Sequence, residues 1–177
     1  MLPKNLAVRW VMAIAVLVIA AVLLFTSFRT VLAPPALTAQ DEIAVYGAVL
    51  QTLSQYRPEP GPTYVLRSTD DSAAQSTHTS SPLNPRTLAP AAQSALSSAI
   101  SNLVWIDSFD QIARGPSGSL EDKGVVITLG NISQAGRQAK TSASIYVNPT
   151  WGAGYEYTLD RADAGWIITN TALNWIS

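Results

Sequence analysis

Cysteine is absent from these 177 residues, and histidine occurs once, at His78. The first absence excludes a disulfide framework, a thiolate nucleophile and a lipid anchor attached through cysteine. Together the two leave too few nitrogen and sulfur donors for a zinc site of the usual kind, so no metal and no cofactor is expected. Charge is scarce as well: Asp, Glu, Lys and Arg make up 13% of the chain, against about a quarter in ordinary soluble domains. Lysine and arginine nowhere cluster, and phosphate binding needs grouped cations, so nucleic acid is not an expected partner. Two catalytic signatures are also missing. There is no G-x-S-x-G elbow, and GPSGS at 115–119 lacks the Gly-Lys-Ser/Thr ending of a phosphate loop, so it reads as a turn.

What the chain has in excess is apolar sequence, 47% of all residues. Much of it lies in WVMAIAVLVIAAVLLFTSF, residues 10–28, nineteen residues without a charge. As a helix this run measures about 28 Å, close to the ~30 Å hydrocarbon core of a bilayer. It predicts a transmembrane helix over 10–28, with the lipid bilayer as its partner. Lys4 and Arg9 precede the run, and only Arg29 follows it before Asp41. The positive-inside tendency therefore places residues 1–9 in the cytoplasm and the rest of the chain outside. The alternative is a cleaved signal peptide and a secreted product. Such peptides have an apolar region of about 7 to 15 residues with a small-x-small site close behind. Here Val31-Leu32-Ala33 runs straight into Pro34, and Leu37-Thr38-Ala39 stands well downstream. An uncleaved signal anchor is the preferred reading.

Residues 29–40, RTVLAPPALTAQ, form a Pro- and Ala-rich linker that the Pro34-Pro35 pair stiffens. Residues 41–177 are then the extracytoplasmic domain. Setting aside Lys4, Arg9 and Arg29, it carries 8 basic against 12 acidic residues, a net charge of −4.

Within this domain Ile43, Tyr46, Val49, Leu50 and Leu53 recur at three- and four-residue steps, which predicts a helix from Asp41 until Pro58 and Pro60 stop it. TYVLRST, 63–69, reads as a strand, and the polar stretch 70–85 as a mobile loop. Leu88, Ala92, Leu96, Ile100 and Leu103 predict a second helix over 87–104. An irregular connection with anchoring aromatics is expected from Trp105 to Gly124. The remainder is β in pattern: 124–130, then 141–147 with Ala143, Ile145 and Val147 on one face, then Tyr155, Tyr157 and Leu159 alternating with polar residues. RADAG closes a hairpin into Trp166-Ile167-Ile168. If Arg161 lies opposite Trp166, Leu159 meets Ile168 on the same face. The final Trp175-Ile176-Ser177 has no polar tail, so it is expected to end an inner or well-covered strand. The predicted fold class is α+β, one or two helices packed on a curled antiparallel sheet.

The helix EIAVYGAVLQ, the strand YVLRST and the block GAGYEYTLDRADAGWIITNTALNWIS together resemble an uncharacterised family of bacterial membrane-anchored cell-envelope domains. Members of that family end in a Gly-x-Gly-Tyr hairpin, a Gly-Trp turn and a closing Trp-Ile-Ser. The outline is also similar, more distantly, to cystatin-like and NTF2-like folds. The resemblance implies a place in the envelope and assigns no catalytic residue.

Candidates for chemistry are few. His78 lies in the polar loop with no partner in view and reads as a surface residue. Asp70-Asp71 and the pair Asp107 and Asp110 could bind calcium or act as acid and base, yet neither has the alternating ligands of a calcium loop. Turn capping is the expected role. Asn131-Ile132-Ser133 fits a glycosylation sequon. Tyr146, Trp151, Tyr155, Tyr157, Trp166 and Trp175 crowd the β region, where aromatics fill a core or line a contact site. Of these, Trp151, Tyr155 and Tyr157 are the expected ligand- or partner-contact residues, with Trp151, in the NPTWGAG loop, first. Three functions follow in order of preference. The first is a non-catalytic domain for protein or peptide interaction at the envelope, with an envelope protein as possible partner. The second is a small-ligand domain with a pocket between helix and sheet, and the third a carboxylate-dependent hydrolase.

Overall fold

The computed structural model describes residues 37–56, 61–75 and 82–177. The expected membrane span 10–28, the cytoplasmic segment 1–9, most of the linker and His78 lie outside the described residues. Among the described residues no helix is long and apolar enough to cross a membrane. One compact unit runs from Ala36 to Ser177.

Helix α1, Ala39–Ser54, opens on a capping box: the Thr38 hydroxyl accepts from the Asp41 N–H at 3.1 Å, and the Asp41 carboxylate accepts from the Thr38 N–H at 3.1 Å. The reciprocal pair satisfies donors that a helix start would otherwise leave open. It explains why the helix begins two residues before the expected Asp41. Val45, Tyr46, Val49, Leu50 and Leu53 are wholly buried along one face, as their spacing requires.

Strand β1, Thr63–Leu66, is followed by helix α2, Pro90–Ala99, with Pro90 in its first turn. The expected second helix is thus cut to its middle. Ile100 is already extended, Asn102 turns the chain with φ 60°, and Leu103–Ile106 becomes strand β2. The Leu-Val-Trp-Ile run favours a pleated surface, and β1 supplies an edge for it, from Thr63 opposite Leu103 to Leu66 opposite Ile106. That pairing is parallel, and so is the pairing of β1 with β3, Val125–Leu129. The sheet is therefore mixed, which corrects the expected antiparallel one. Helix α2 is the crossover that a parallel pair needs.

From β3 onward the sheet is an antiparallel meander: β4, Ser133–Ala135; β5, Gln138–Asn148; β6, Trp151–Ala162; and β7, Gly165–Ile176. Strand order is β2-β1-β3-β5-β6-β7, with β4 beside β5. The last hairpin has the expected register, Arg161 opposite Trp166 and Leu159 opposite Ile168.

The helices cover one face of this sheet. Val65, Ile127, Leu129, Ala143, Ile145 and Leu159 pack there against α1 and Leu96 of α2, all with no exposed surface. A smaller cluster of Ile106, Ile112, Leu120 and Val126 sits on the other face, where the 107–124 connection crosses.

The chain end differs from expectation. Strand β7 stands at the edge of the sheet, and Ile176 is 62% exposed. It is held by other means. The Trp175 indole lies across the two glycines of Gly152-Ala153-Gly154: a Cβ on Gly154 would stand 1.9 Å from the indole nitrogen, and one on Gly152 3.3 Å from the six-membered ring. The Ser177 N–H donates to the Gly152 carbonyl at 2.9 Å. The Gly-x-Gly and Trp-Ile-Ser elements of the closing block are therefore one packing unit across neighbouring strands.

Candidate functional site

Period-two alternation divides each central strand between the two faces. In β3 and β5 it sends Ile127, Ala143 and Ile145 to the helix side and leaves Thr128, Ser144 and Tyr146 on the other. With Leu66, Ser68 and Trp175 these form the floor of a groove of about 540 Å³ on the face away from the helices. One wall is the turn at 70–75. The other is the 107–110 segment with Arg114.

The first wall is fixed by its aspartates. Asp70 Oδ1 accepts from the Ser72 N–H at 2.8 Å, the Ser72 hydroxyl at 2.6 Å and the Leu83 N–H at 2.8 Å. Asp71 accepts from the Asn131 N–H at 2.9 Å and the Asn84 amide at 3.1 Å. Partial burial pushes the Asp71 carboxyl up, but the bonds from Asn131 and Asn84 outweigh it and hold the group below the usual carboxylate range. The part of the expected mobile loop that is described is thus a pinned turn.

The second wall is built the same way. Ser108 caps a short 3-10 turn, Phe109–Gln111, by accepting from the Asp110 N–H at 3.2 Å. Asp107 pairs with Arg67 at 2.8 Å, and that bond lowers its carboxyl. The Phe109 ring meets Tyr146 edge to face, centroids 6.1 Å apart, and the Arg114 guanidinium stands 5.6 Å from the centre of the Phe109 ring. Every aspartate around the groove accepts a hydrogen bond from the fold; the weakest is that of exposed Asp110, whose Oδ2 accepts from the Ser108 hydroxyl at 3.3 Å. A general acid needs a raised carboxyl, and neither Asp71 nor Asp107 has one.

A second basin of about 390 Å³ continues on the same face over Ser142, Glu156, Thr158 and Asn170, and it shares Gln75 with the first.

Of the residues expected to make contacts, Tyr157 borders the second basin and none of the three lines the groove. Tyr155 and Tyr157 are 8% and 1% exposed and belong to the core on the helix side. Tyr155 stacks on Tyr56 at 5.8 Å and meets Tyr157 at 6.0 Å. Burial raises the Tyr157 phenol well above its ordinary value, and among the described residues its hydroxyl finds no hydrogen-bond partner. Trp151 is half-buried at the start of β6, packed against the same core. The structure brings the three to one side of the sheet, the side opposite the groove. Of the aromatics singled out in the sequence, Tyr146 and Trp175 line the groove, and Phe109 joins them. For Tyr146 part of the signal was available: alternation sets it on the face opposite Ala143, Ile145 and Val147. Phe109 and Arg114 sit on an irregular connection, where no periodicity assigns a face.

Comparison with family models, with curated proteins and with solved structures returns no match for this chain.

Proposed function

We propose that the unit from Ala36 to Ser177 is a non-catalytic binding domain, held outside the membrane by residues 10–28, that takes a peptide segment of an envelope protein in the groove on the open face of the sheet. The observation that carries this is the contrast between the faces. The helix side is filled with side chains, and the other side is an open groove of about 540 Å³ whose aspartates serve the fold. The lining suits a peptide. Ser68, Thr128 and Ser144 offer hydroxyls to main-chain amides, while Tyr146, Phe109 and Trp175 offer apolar surface for side chains. The adjoining second basin gives the length that an extended segment needs, about 3.3 Å per residue.

The volume also falls in the range of small-molecule sites, about 300 to 1,000 Å³, so a small ligand in the same groove is the second reading. Ser144→Arg puts a long side chain on the groove floor, away from the core, and tests both. Full-length protein is incubated with peptides from an envelope digest and with a metabolite extract, and bound material is identified by mass. Peptide retention by the wild type and at least tenfold less by Ser144→Arg, about 1.4 kcal/mol, with unchanged circular dichroism, supports the proposal. Equal retention by both proteins overturns it, and retention of a small molecule alone moves the second reading to first place. Protease accessibility of the domain from outside intact cells tests the orientation.

A further inference from the structure

Sheet edges expose main-chain N–H and C=O groups, and natural proteins protect long edges with charges, proline, short strands or bulges. Here β2, at one edge, has 4 residues, while β7, at the other, has 12. Strand β7 reads GWIITNTALNWI, without a charge and without proline. Its register against β6 slips twice, leaving Thr169 and Asn174 as extra residues. Between these bulges residues 170–173 form an unbroken ladder, and among the described residues that stretch pairs only with β6.

The apolar side chains point to the same edge. Of the six large hydrophobic residues that stand exposed among the described residues, Ile167, Leu173 and Ile176 lie on β7, and Tyr56 lies over Tyr155, the residue opposite Leu173. Leu173 and Ile176 are 55% and 62% exposed on the helix side. Main-chain groups along a strand are met by another strand. The absence of any charge makes this one complementary to itself, since no like charges come together in an antiparallel self-pairing.

We propose that residues 171–173 of β7 pair antiparallel with the same residues of a second copy, so that two domains share one continuous sheet. The symmetry restricts the register. Directly opposed residues of an antiparallel pair point to the same face, so the two-fold axis falls on a residue and not between two. An axis at Ala172 sets Thr171 of each copy opposite Leu173 of the other, both on the helix side. The apolar surfaces around Leu173 and Tyr56 of the two copies then adjoin. The contact is isologous and closes as a dimer. It runs along the sheet edge, where Asn170 and Ala172 border the second basin, and does not depend on what the groove binds.

The lack of native cysteine makes the test clean. Single cysteines are placed in the full-length chain in detergent at Ala172, at Ile167 and, on the opposite edge, at exposed Val104. The proteins are oxidised and resolved without reductant. Ala172→Cys is expected to give a covalent dimer fastest, with Ile167→Cys and Val104→Cys far behind. Adding Leu173→Lys to Ala172→Cys should lower the initial rate roughly tenfold, about 1.4 kcal/mol. Its circular dichroism should stay unchanged, because the side chain is more than half exposed. Equal rates at Ala172 and Val104, no effect of Leu173→Lys, or a monomer by sedimentation at every concentration would each overturn the proposal. Dimerisation through the N-terminal segment alone would appear as the second of these outcomes.

Discussion

Asp41 joins the first helix of the domain to its last hairpin, and its removal makes a prediction that can be worked through. The residue is 5% exposed. Its Oδ1 accepts from the Trp166 indole N–H at 2.9 Å and lies 3.0 Å from the Arg161 guanidinium. Its Oδ2 accepts from the Thr38 N–H at 3.1 Å and from the Thr38 hydroxyl at 2.8 Å. Asp41→Ala breaks the capping box, about 1 kcal/mol, and leaves the buried indole N–H without its acceptor, about 1 to 3 kcal/mol. The Arg161 side chain is 40% exposed, so solvent screens its share to well under 1 kcal/mol. The expected loss is about 2 to 4 kcal/mol, which for a domain of this size lowers the melting midpoint by roughly 6 to 16 °C.

The pH dependence sharpens this test. The Trp166 hydrogen bond, followed by the Thr38 bonds and the Arg161 charge, outweighs burial and holds the Asp41 carboxyl below its ordinary 3.8. A depressed carboxyl contributes stability that is present in full above the unfolded value and is lost as pH falls through the folded one. The gap between wild type and Asp41→Asn should therefore be constant near neutrality and close below about pH 4. Thermal unfolding followed by circular dichroism measures both. An Asp41→Ala midpoint within about 2 °C of wild type, or a gap that widens on acidification, would refute the reasoning.

Gly154→Ala should drive the Trp175 indole from its seat, lower stability by about 1 to 3 kcal/mol and shift tryptophan emission to the red; an unchanged spectrum would show that the indole does not lie on the glycines. Combined with Trp175→Ala, the same change should lose less than the sum of the single losses, since the clash is gone, and a double-mutant cycle reads this directly. Gly61→Ala places a Cβ 2.5 Å from the Lys123 carbonyl oxygen, which is main chain and cannot swing aside, so chemical denaturation should show a loss of about 1 to 3 kcal/mol. Tyr157→Phe removes a buried hydroxyl that has no partner among the described residues and should be neutral or stabilising by up to about 1 to 3 kcal/mol; a clear loss of stability would mean that the hydroxyl has a partner.

Much of the helix face was legible from spacing alone. Five apolar positions of α1 name one stripe; Tyr46, Val49, Leu50 and Leu53 are wholly buried and Ile43 partly so, because a helix has a single period and this one lies on a single surface. The capping box of Thr38 and Asp41 straddles the boundary expected between linker and domain, so the helix starts two residues earlier than the spacing indicated. The final hairpin followed from its turn residues and two-residue alternation, which tie register to the face that is buried. Local pattern was a poorer guide between Thr87 and Gly124. The 87–104 spacing is helical throughout, yet Leu103–Ile106 forms a strand, because β1 offers an edge that only the folded chain possesses. The parallel pairings arise from the same cause. Alternation in β5 and β6 could say that two faces exist, but not which one the helices would cover. For that reason Tyr155 and Tyr157 could be read as core, the commoner use of such aromatics, or as contact residues. The tertiary structure decided it by laying α1 on their side, and the opposite side, with Tyr146, Phe109 and Trp175, was left as the open groove. The length of β7 and its lack of charge are properties of the sequence. Its place at the edge is not, since a strand becomes an edge only through which neighbours the rest of the chain supplies.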